Sequence, residues 1–414
     1  MKISYFNVER QISSANAYSK INQIIQEHNL KIQVISVGTD LKTYQVFLTD
    51  ENLGKQFIGC GKGVGIQSEV SALFEAFEHY IGHISFLNEN KIFKFTVLEN
   101  QTLSYLISKN VLPEKFINLI GGANTLMPWI KFNSFKDKEN TVFYPLFLVE
   151  KGYNYKNRFS YDSSFFAGFS YLSNGTGIAS GTSFDEAVIH ALNEVVERDA
   201  TSLFLYSGFI KQQKIKIINK STIPAYLQTY INTIETEFND ELFIIDITSD
   251  IGIPTFCVTF SKYNAPIIPK GYGTSLSKTY ALERALLEAL QPVHLRNDNL
   301  NRVENNTVKR LKNYPLLQQA AIADINPIID NNNFYVSSFN DLPDLYNGQS
   351  LSVQKNQLLS LIEKKGFDIY YHDIYQTNHY SCVKIVVPGF SQLYLLQLGK
   401  LILPNVTMLS SRLP

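Results

Sequence analysis

Residues 173–199 read SNGTGIASGTSFDEAVIHALNEVVERD. Glycine and serine crowd its first part, which marks a turn over Ser173–Gly181. From Ser183 onward apolar residues recur at helical spacing, predicting a long helix to about Tyr206. Ser183-x-x-Glu186 has the form of a capping box at its start. Glu186, His190 and Glu194 step by four along one side, and Glu194 and Glu197 are i, i+3 neighbours.

Two other segments repeat this plan. Residues 59–80 read GCGKGVGIQSEVSALFEAFEHY, and residues 271–291 read GYGTSLSKTYALERALLEALQ. Each is expected to be a turn (Gly59–Gly65, Gly271–Ser277) that opens a helix (Ser68–His83, and onward to Leu295). Glu75 and Glu78 share a helix face, as do Arg284, Glu288 and Gln291. Like charges at this spacing disfavour an isolated helix, so something must compensate. One compensation is solvent, or Lys and Arg partners on an exposed face. The other is a hard cation such as Mg²⁺, which takes oxygen ligands and keeps phosphates in its shell. The apolar neighbours favour the second: Leu73 and Phe77, Leu192 and Val195, and Leu286 and Leu290 leave these helices little polar surface. Carboxylates on largely buried helices need metal or basic partners. Acidic groups from three helices are expected to converge on one cavity and hold Mg²⁺ against a triphosphate.

The rest of the chain interleaves helices and strands, a mixed α/β pattern. A helix over Ser14–His28 carries Ile21, Ile24 and Ile25 on one face. Strands are expected at Leu30–Ser36, Tyr44–Leu48, Lys91–Val97, Val142–Val149, Asp368–His372 and Val383–Val387. A helix–strand–strand passage spans Ile223–Phe260, and another helix spans Ser352–Lys365. Residues 84–165 read as mixed and loop-rich, and residues 297–333 as a polar surface excursion.

Composition narrows the classes. Thirty-seven basic and 37 acidic residues cancel, so no net field draws the chain to nucleic acid or an anionic membrane. With 45% hydrophobic and 13% aromatic residues, a packed core is expected. Cys60, Cys257 and Cys382 are far apart, which speaks against a disulfide framework or a zinc site. No secretory signal follows Met1 and no run reaches membrane-span length, so a cytoplasmic location is expected. Gly61-Lys62-Gly63 has a superficial likeness to a phosphate loop but is not a Walker motif.

Together the three segments resemble the YcaO family. The matching residues are GKG before Ser71-x-x-x-Glu75-x-x-Glu78, the NGT turn at Asn174–Thr176, Glu186 followed by Glu194-x-x-Glu197-Arg198-Asp199, and Arg284-x-x-x-Glu288-x-x-Gln291. DITSDIGIP (Asp246–Pro254) and VVPGF (Val386–Phe390) add smaller agreements. The resemblance implies one YcaO domain over residues 1–414, with β-sheets flanked by helices that line an ATP site. Residues 1–58 would form a strand-helix-strand-strand part and 84–165 an insertion. It implies ATP and Mg²⁺ as cofactors. Glu75, Glu78, Glu186, Glu194, Glu197 and Glu288 would bind metal. Ser71, Arg198, Arg284, Gln291 and Arg10 would lie at the nucleotide, and Glu194, Glu197 and Arg198 would act in catalysis. His79 stands where the family usually has arginine, and the end, SSRLP, lacks the proline-rich tail of azoline-forming members.

The activity implied is cyclodehydration of Cys, Ser or Thr in a ribosomally made precursor peptide to an azoline. Partners implied are a ubiquitin-activating-enzyme-like leader-binding protein, a flavin dehydrogenase and a second copy of the chain. The alternatives are thioamide or amidine formation, which shares the amide-activating step, and a non-catalytic ATP-binding accessory protein.

Overall fold

A computed structural model describes residues 8–87, 92–96, 102–112, 114, 126–137, 139–150, 173 and 175–413. Along the chain lie α1 (Ser14–Glu27), β1 (Lys31–Val37), β2 (Thr43–Asp50), β3 (Lys55–Gly61), α2 (Ile66–Leu87), β4 (Ile92–Thr96), α3 (Thr102–Ser108), β5 (Leu126–Ser134), β6 (Thr141–Pro145), α4 (Leu146–Val149) and β7 (Ile178–Gly181). Then follow α5 (Phe184–Phe204), a π-helical turn (Leu205–Ile210), β8 (Ile215–Asn219), α6 (Ala225–Phe238), β9 (Leu242–Asp246), β10 (Thr255–Phe260), β11 (Lys270–Thr274) and α7 (Lys278–His294). The remainder is α8 (Asp298–Arg310), α9 (Pro315–Ile322), α10 (Asn326–Asp330), β12 (Phe334–Ser338), α11 (Leu351–Glu363), β13 (Tyr370–Gln376), β14 (Ser381–Val386) and α12 (Val406–Ser411). The mixed α/β class is as expected. Two compact units result: residues 1–77, 196–358 and 391–414, and residues 78–195 and 359–390. Three of the four divisions fall inside α2, α5 and α11.

The first unit holds a three-stranded sheet, β1-β2-β3, and a five-stranded sheet ordered β11-β10-β9-β8-β12. In the larger sheet β10 is buried along its whole length, and its sequence, TFCVTF, shows no apolar/polar alternation. Phe256, Val258 and Phe260 face α6 and α7 in one core. Cys257, Ile245 and Ile217 face the opposite way, against the π-helical turn and α9. Each fully buried Phe contributes roughly 2–3 kcal/mol relative to exposure.

Each predicted Gly/Ser turn is shorter than expected, confined to residues 62–65, 175–177 and 275–277, with strand before or after it. Gly59–Gly61 closes β3, Ile178–Gly181 is β7, and Gly271–Thr274 belongs to β11. The glycines are there because each strand lies against the helix it leads into. A Cβ on Gly61 would stand 1.7 Å from the Ser68 carbonyl oxygen, and one on Gly271 2.1 Å from that of Ala285. Val142–Val149 also divides, into β6 and the helical turn α4. The Asn-rich stretch 297–333 is mostly helical. Asn297 accepts from the Leu300 N–H at 2.9 Å and so caps α8, whose last turn carries Lys309 and Arg310. Much of the span 84–165, and Asn174 of the expected NGT turn, lie outside the described residues.

The second unit is built on one antiparallel sheet, β4-β5-β13-β14-β7, with β6 paired to β5. Lys384 sits within β14, opposite Ile178, in a strand otherwise apolar at its centre.

One buried cation has a measurable consequence. Lys270 Nζ donates to the carbonyls of Ile268 and Ile322 at 2.8 and 2.9 Å. Burial pushes its pKa from 10.5 down to about 8, against the pull of Cys257, Asp324 and Glu304. The unfolded chain keeps that proton to higher pH than the folded one. Between about 8 and 10.5 the unfolded state therefore binds more protons, and stability rises with pH. Relative to Lys270→Met, the parent should gain on the order of 2 kcal/mol of unfolding free energy from about pH 7.5 to 9.5 in urea melts. Parallel profiles for the two would refute this.

Candidate active site

In the first unit, β3 delivers the Cys60 peptide to two helices at once. Its N–H donates to Glu75 Oε2 on α2 at 3.3 Å, and its carbonyl accepts from Gln291 Nε2 on α7 at 3.2 Å. The strand glycines allow this closeness to α2, since side chains at Gly59 and Gly61 would push that helix away. Two residues on, Lys62 pairs with Glu288 of α7. Burial and the charges of Arg284 and Arg198 push Lys62 down to about 7, while Glu197 and Glu75 pull it up. Ser71 lies one turn before Glu75 on α2.

Arg284 is enclosed by the same set. Burial works against its charge, but Tyr280, Glu9 and Glu197 outweigh that and hold its pKa above the ordinary value, with Arg10 opposing. Its guanidinium lies 5.9 Å from the centre of the Tyr280 ring. Glu9, 1% exposed, accepts from Ser275 Oγ at 2.5 Å. Glu197 is 3% exposed. Among the described residues its carboxylate accepts no hydrogen bond, and the Arg198 guanidinium stands 3.9 Å away.

The second unit carries the other predicted residues. Glu78 accepts from Ser180 Oγ at 3.0 Å, and Glu194 Oε2 from the Gly177 N–H at 3.0 Å. Gly177 has φ +81°, and a Cβ there would meet the Ile385 carbonyl oxygen at 2.2 Å, so the turn requires glycine. Lys384 Nζ donates to the Thr176 carbonyl at 2.7 Å. Burial pushes its pKa below the ordinary lysine value, against the pull of Glu194 and Glu78. Glu186 is 3% exposed and accepts from Thr182 Oγ1 at 2.6 Å and Thr182 N–H at 3.2 Å. The Glu186 N–H donates to Ser183 Oγ at 3.3 Å. This is a variant of the expected capping box, with the carboxylate reaching one residue farther back. His79 is half-buried beside Glu78.

Among the described residues no three His, Cys, Asp or Glu side chains gather closely enough to hold a metal by themselves. Such a set suits Mg²⁺, which is usually held by one or two carboxylates together with substrate phosphates and water. The fit rests on Glu197, a buried acid in the field of Lys62, Arg198 and Arg284. Sequence reasoning missed Glu9 and Lys384. A lone lysine in the apolar run of β14 was the signal for Lys384; Glu9 offered none.

The model of the YcaO cyclodehydratase family, described as ATP- and Mg²⁺-binding, matches residues 60–391. The chain belongs to the YcaO family. An uncharacterized protein of Methanothermobacter thermautotrophicus is 25% identical over 228 residues, 53% of this chain and 56% of that one. The YcaO fold is shared with YcaO from Methanopyrus kandleri bound with AMPPCP and Mg²⁺, at TM-score 0.65 and 18% identity, over 97% of this chain and 98% of that one. A heterocyclase in complex with substrate and cofactor gives TM-score 0.66 and 18% identity, over 92% of this chain and 53% of that one. The YcaO chain thus spans about half the length of the Methanothermobacter relative and of the heterocyclase. Among the described residues no helix is long and apolar enough to cross a membrane.

Proposed function

We propose that this chain uses Mg²⁺–ATP to phosphorylate a peptide backbone amide oxygen, most favourably in cyclodehydration of Cys, Ser or Thr to an azoline. The observation that carries this reading is Glu197, a buried acid whose carboxylate accepts no hydrogen bond among the described residues, set among Arg198, Arg284 and Lys62. Glu75, Glu197 and Glu288 of the first unit, and Glu78, Glu186 and Glu194 of the second, are the proposed magnesium ligands. Arg10, Ser71, Arg198, Arg284 and Gln291 are the proposed nucleotide contacts, with Glu194, Glu197 and Arg198 acting in catalysis. When bound, Mg²⁺–ATP supplies the γ-phosphoryl group and neutralises charge on it.

The chain's own residues do the positioning. Arg198 and Arg284 offer fixed guanidinium charge to phosphate oxygens without reorganising. Cys60, clasped by Glu75 and Gln291, ties α2 and α7 to the same strand. Lys62 pairs with Glu288, and were that carboxylate to hold Mg²⁺, Lys62 would be placed to meet a phosphate. The proposed partners are a precursor peptide, a ubiquitin-activating-enzyme-like leader-binding protein, a flavin dehydrogenase and a second copy of the chain. The proposed location is the cytoplasm.

The test is mass spectrometry of a Cys/Ser/Thr-bearing precursor peptide incubated with the chain, its leader-binding protein, ATP and Mg²⁺. Loss of one water per modified residue with matching ADP release is the expected result. Gain of sulfur would reassign the product to a thioamide. Tight ATP binding without turnover would make the chain an accessory protein.

A further inference from the structure

Helix α12 and the residue after it are joined to the back of α5, outside the set of residues assigned above. Both NH groups of Arg412 donate to Asp199, NH1 to Oδ1 at 2.7 Å and NH2 to Oδ2 at 2.6 Å, a bidentate fork. Arg412 also reaches Asp250 Oδ1, at 3.1 Å from Nε and 2.7 Å from NH2. The Asp199 side chain is fully buried, that of Arg412 is 7% exposed, and the outer partner Asp250 is 24% exposed. Further bonds run the same way. The Ser391 N–H donates to Asp199 Oδ1 at 2.8 Å. Ser202 Oγ donates to the Ser391 carbonyl at 3.1 Å and accepts from the Tyr394 N–H at 3.0 Å. The Tyr394 ring lies 5.6 Å from the Arg198 guanidinium, and Tyr206 OH bonds Ser410 Oγ of α12 at 2.9 Å.

We propose that Arg412 is a positioning residue for the nucleotide site: by gripping Asp199 it sets the rotation of the α5 turn that presents Glu197 and Arg198. This rests on the magnesium–nucleotide reading above. At 3.6 residues per turn, Asp199 lies roughly 200° around the helix from Glu197. A fork that fixes the back of the turn therefore fixes what its front presents. Glu197 and Arg198 stand 3.9 Å from each other on this turn. Without the guanidinium, Asp199 becomes a fully buried acid that must take up a proton or turn away, and the α5 turn loses its reference.

The test is calorimetric titration of Mg²⁺–AMPPCP into the parent, Arg412→Gln, Arg412→Lys and Asp250→Asn, below the melting temperature of each. Arg412→Gln should bind about tenfold or more weakly at unchanged stoichiometry, since small misplacements far from the reacting atoms have effects of this size. Arg412→Lys, which keeps the charge and one arm of the contact, should recover part of the loss. Asp250→Asn should bind within about twofold of the parent even as it melts earlier, because Arg412 still holds Asp199. Parental affinity in folded Arg412→Gln overturns the proposal. So does affinity in Asp250→Asn that falls in step with its melting temperature, which makes the cluster structural only. If Arg412→Gln does not fold, parental affinity in Arg412→Lys is decisive against it. A parent that does not bind Mg²⁺–AMPPCP refutes the nucleotide-site reading itself, and this inference with it.

Discussion

Replacing Glu197 with glutamine is expected to lower Mg²⁺-dependent ATP turnover by about a hundredfold or more, while the chain stays folded. Glutamine keeps the shape of the side chain and its capacity to accept a hydrogen bond, so only charge is removed. The change also takes a counter-charge from Lys62 and Arg284, so the melting temperature should fall modestly while the fold is kept. The functional loss follows from the surroundings. Glu197 acts on both Lys62 and Arg284, and Arg198 is adjacent. Without its charge, three cations remain around a position proposed to take a dication, and Mg²⁺ affinity falls. Glu194→Gln in the second unit should act similarly. Its amide oxygen can still accept from the Gly177 N–H, so the local turn survives while the charge is lost. Glu283→Gln is the control: it neighbours Arg284 on α7, but its charge acts on Tyr230. ADP release like the parent's in both Glu197→Gln and Glu194→Gln would end the assignment. A loss in Glu283→Gln equal to theirs would point to general damage to α7.

Why much of this was legible in the sequence is a matter of local physics. Glu75, Glu194, Glu197 and Glu288 stand out as candidates because helices impose a face on residues three or four apart, and because apolar neighbours such as Leu192 and Leu286 mark those helices as buried. The class followed from the interleaved elements. The glycine-rich stretches were misread in part, for an equally physical reason: Gly63, Gly65 and Gly177 do supply turns. Glycine signals a turn when it supplies an unusual φ, and it signals close packing when it withholds a Cβ; sequence does not separate the two. Gly59, Gly61, Gly271 and Gly273 are of the second kind. The Asn-rich stretch 297–333 was misjudged because Asn297 serves as a helix cap, a single-residue role that composition hides. The Arg412–Asp199 fork joins residues 213 positions apart, and nothing in either local pattern announces it. The same holds for Glu9 and Ser275, 266 positions apart.

Gly271→Val should be the most damaging single substitution in the scaffold, with a loss of about 3 kcal/mol or more and failure to fold at ordinary temperatures. β11 lies flat on α7. A Cβ on Gly271 would stand 2.1 Å from the Ala285 carbonyl oxygen and 2.2 Å from the Ala289 nitrogen, and one on Gly273 2.1 Å from the Ala281 carbonyl oxygen. Ala281, Ala285 and Ala289 form an i, i+4 stripe with no exposed surface. The small residues of the helix and the glycines of the strand thus mesh backbone to backbone. Gly59 and Gly61 meet Ser68, Ala72 and Ala76 of α2 in the same way. The obstacle at Gly271 is main chain, so trimming a side chain cannot relieve it. Even Gly271→Ala should be severely destabilised, and adding Ala285→Gly should restore nothing. Moving α7 also moves Arg284, Glu288 and Gln291, so any folded fraction should bind Mg²⁺–AMPPCP poorly. Gly54→Ala provides the comparison: its φ is +59° with nothing within 4 Å of the added Cβ, so only the left-handed backbone matters and the loss should be about 1–2 kcal/mol. Urea melts of the two alanine variants decide the matter. Equal losses at Gly271 and Gly54, or rescue by Ala285→Gly, would mean that α7 has room to yield and that strand glycines do not set the position of the helix bearing the site.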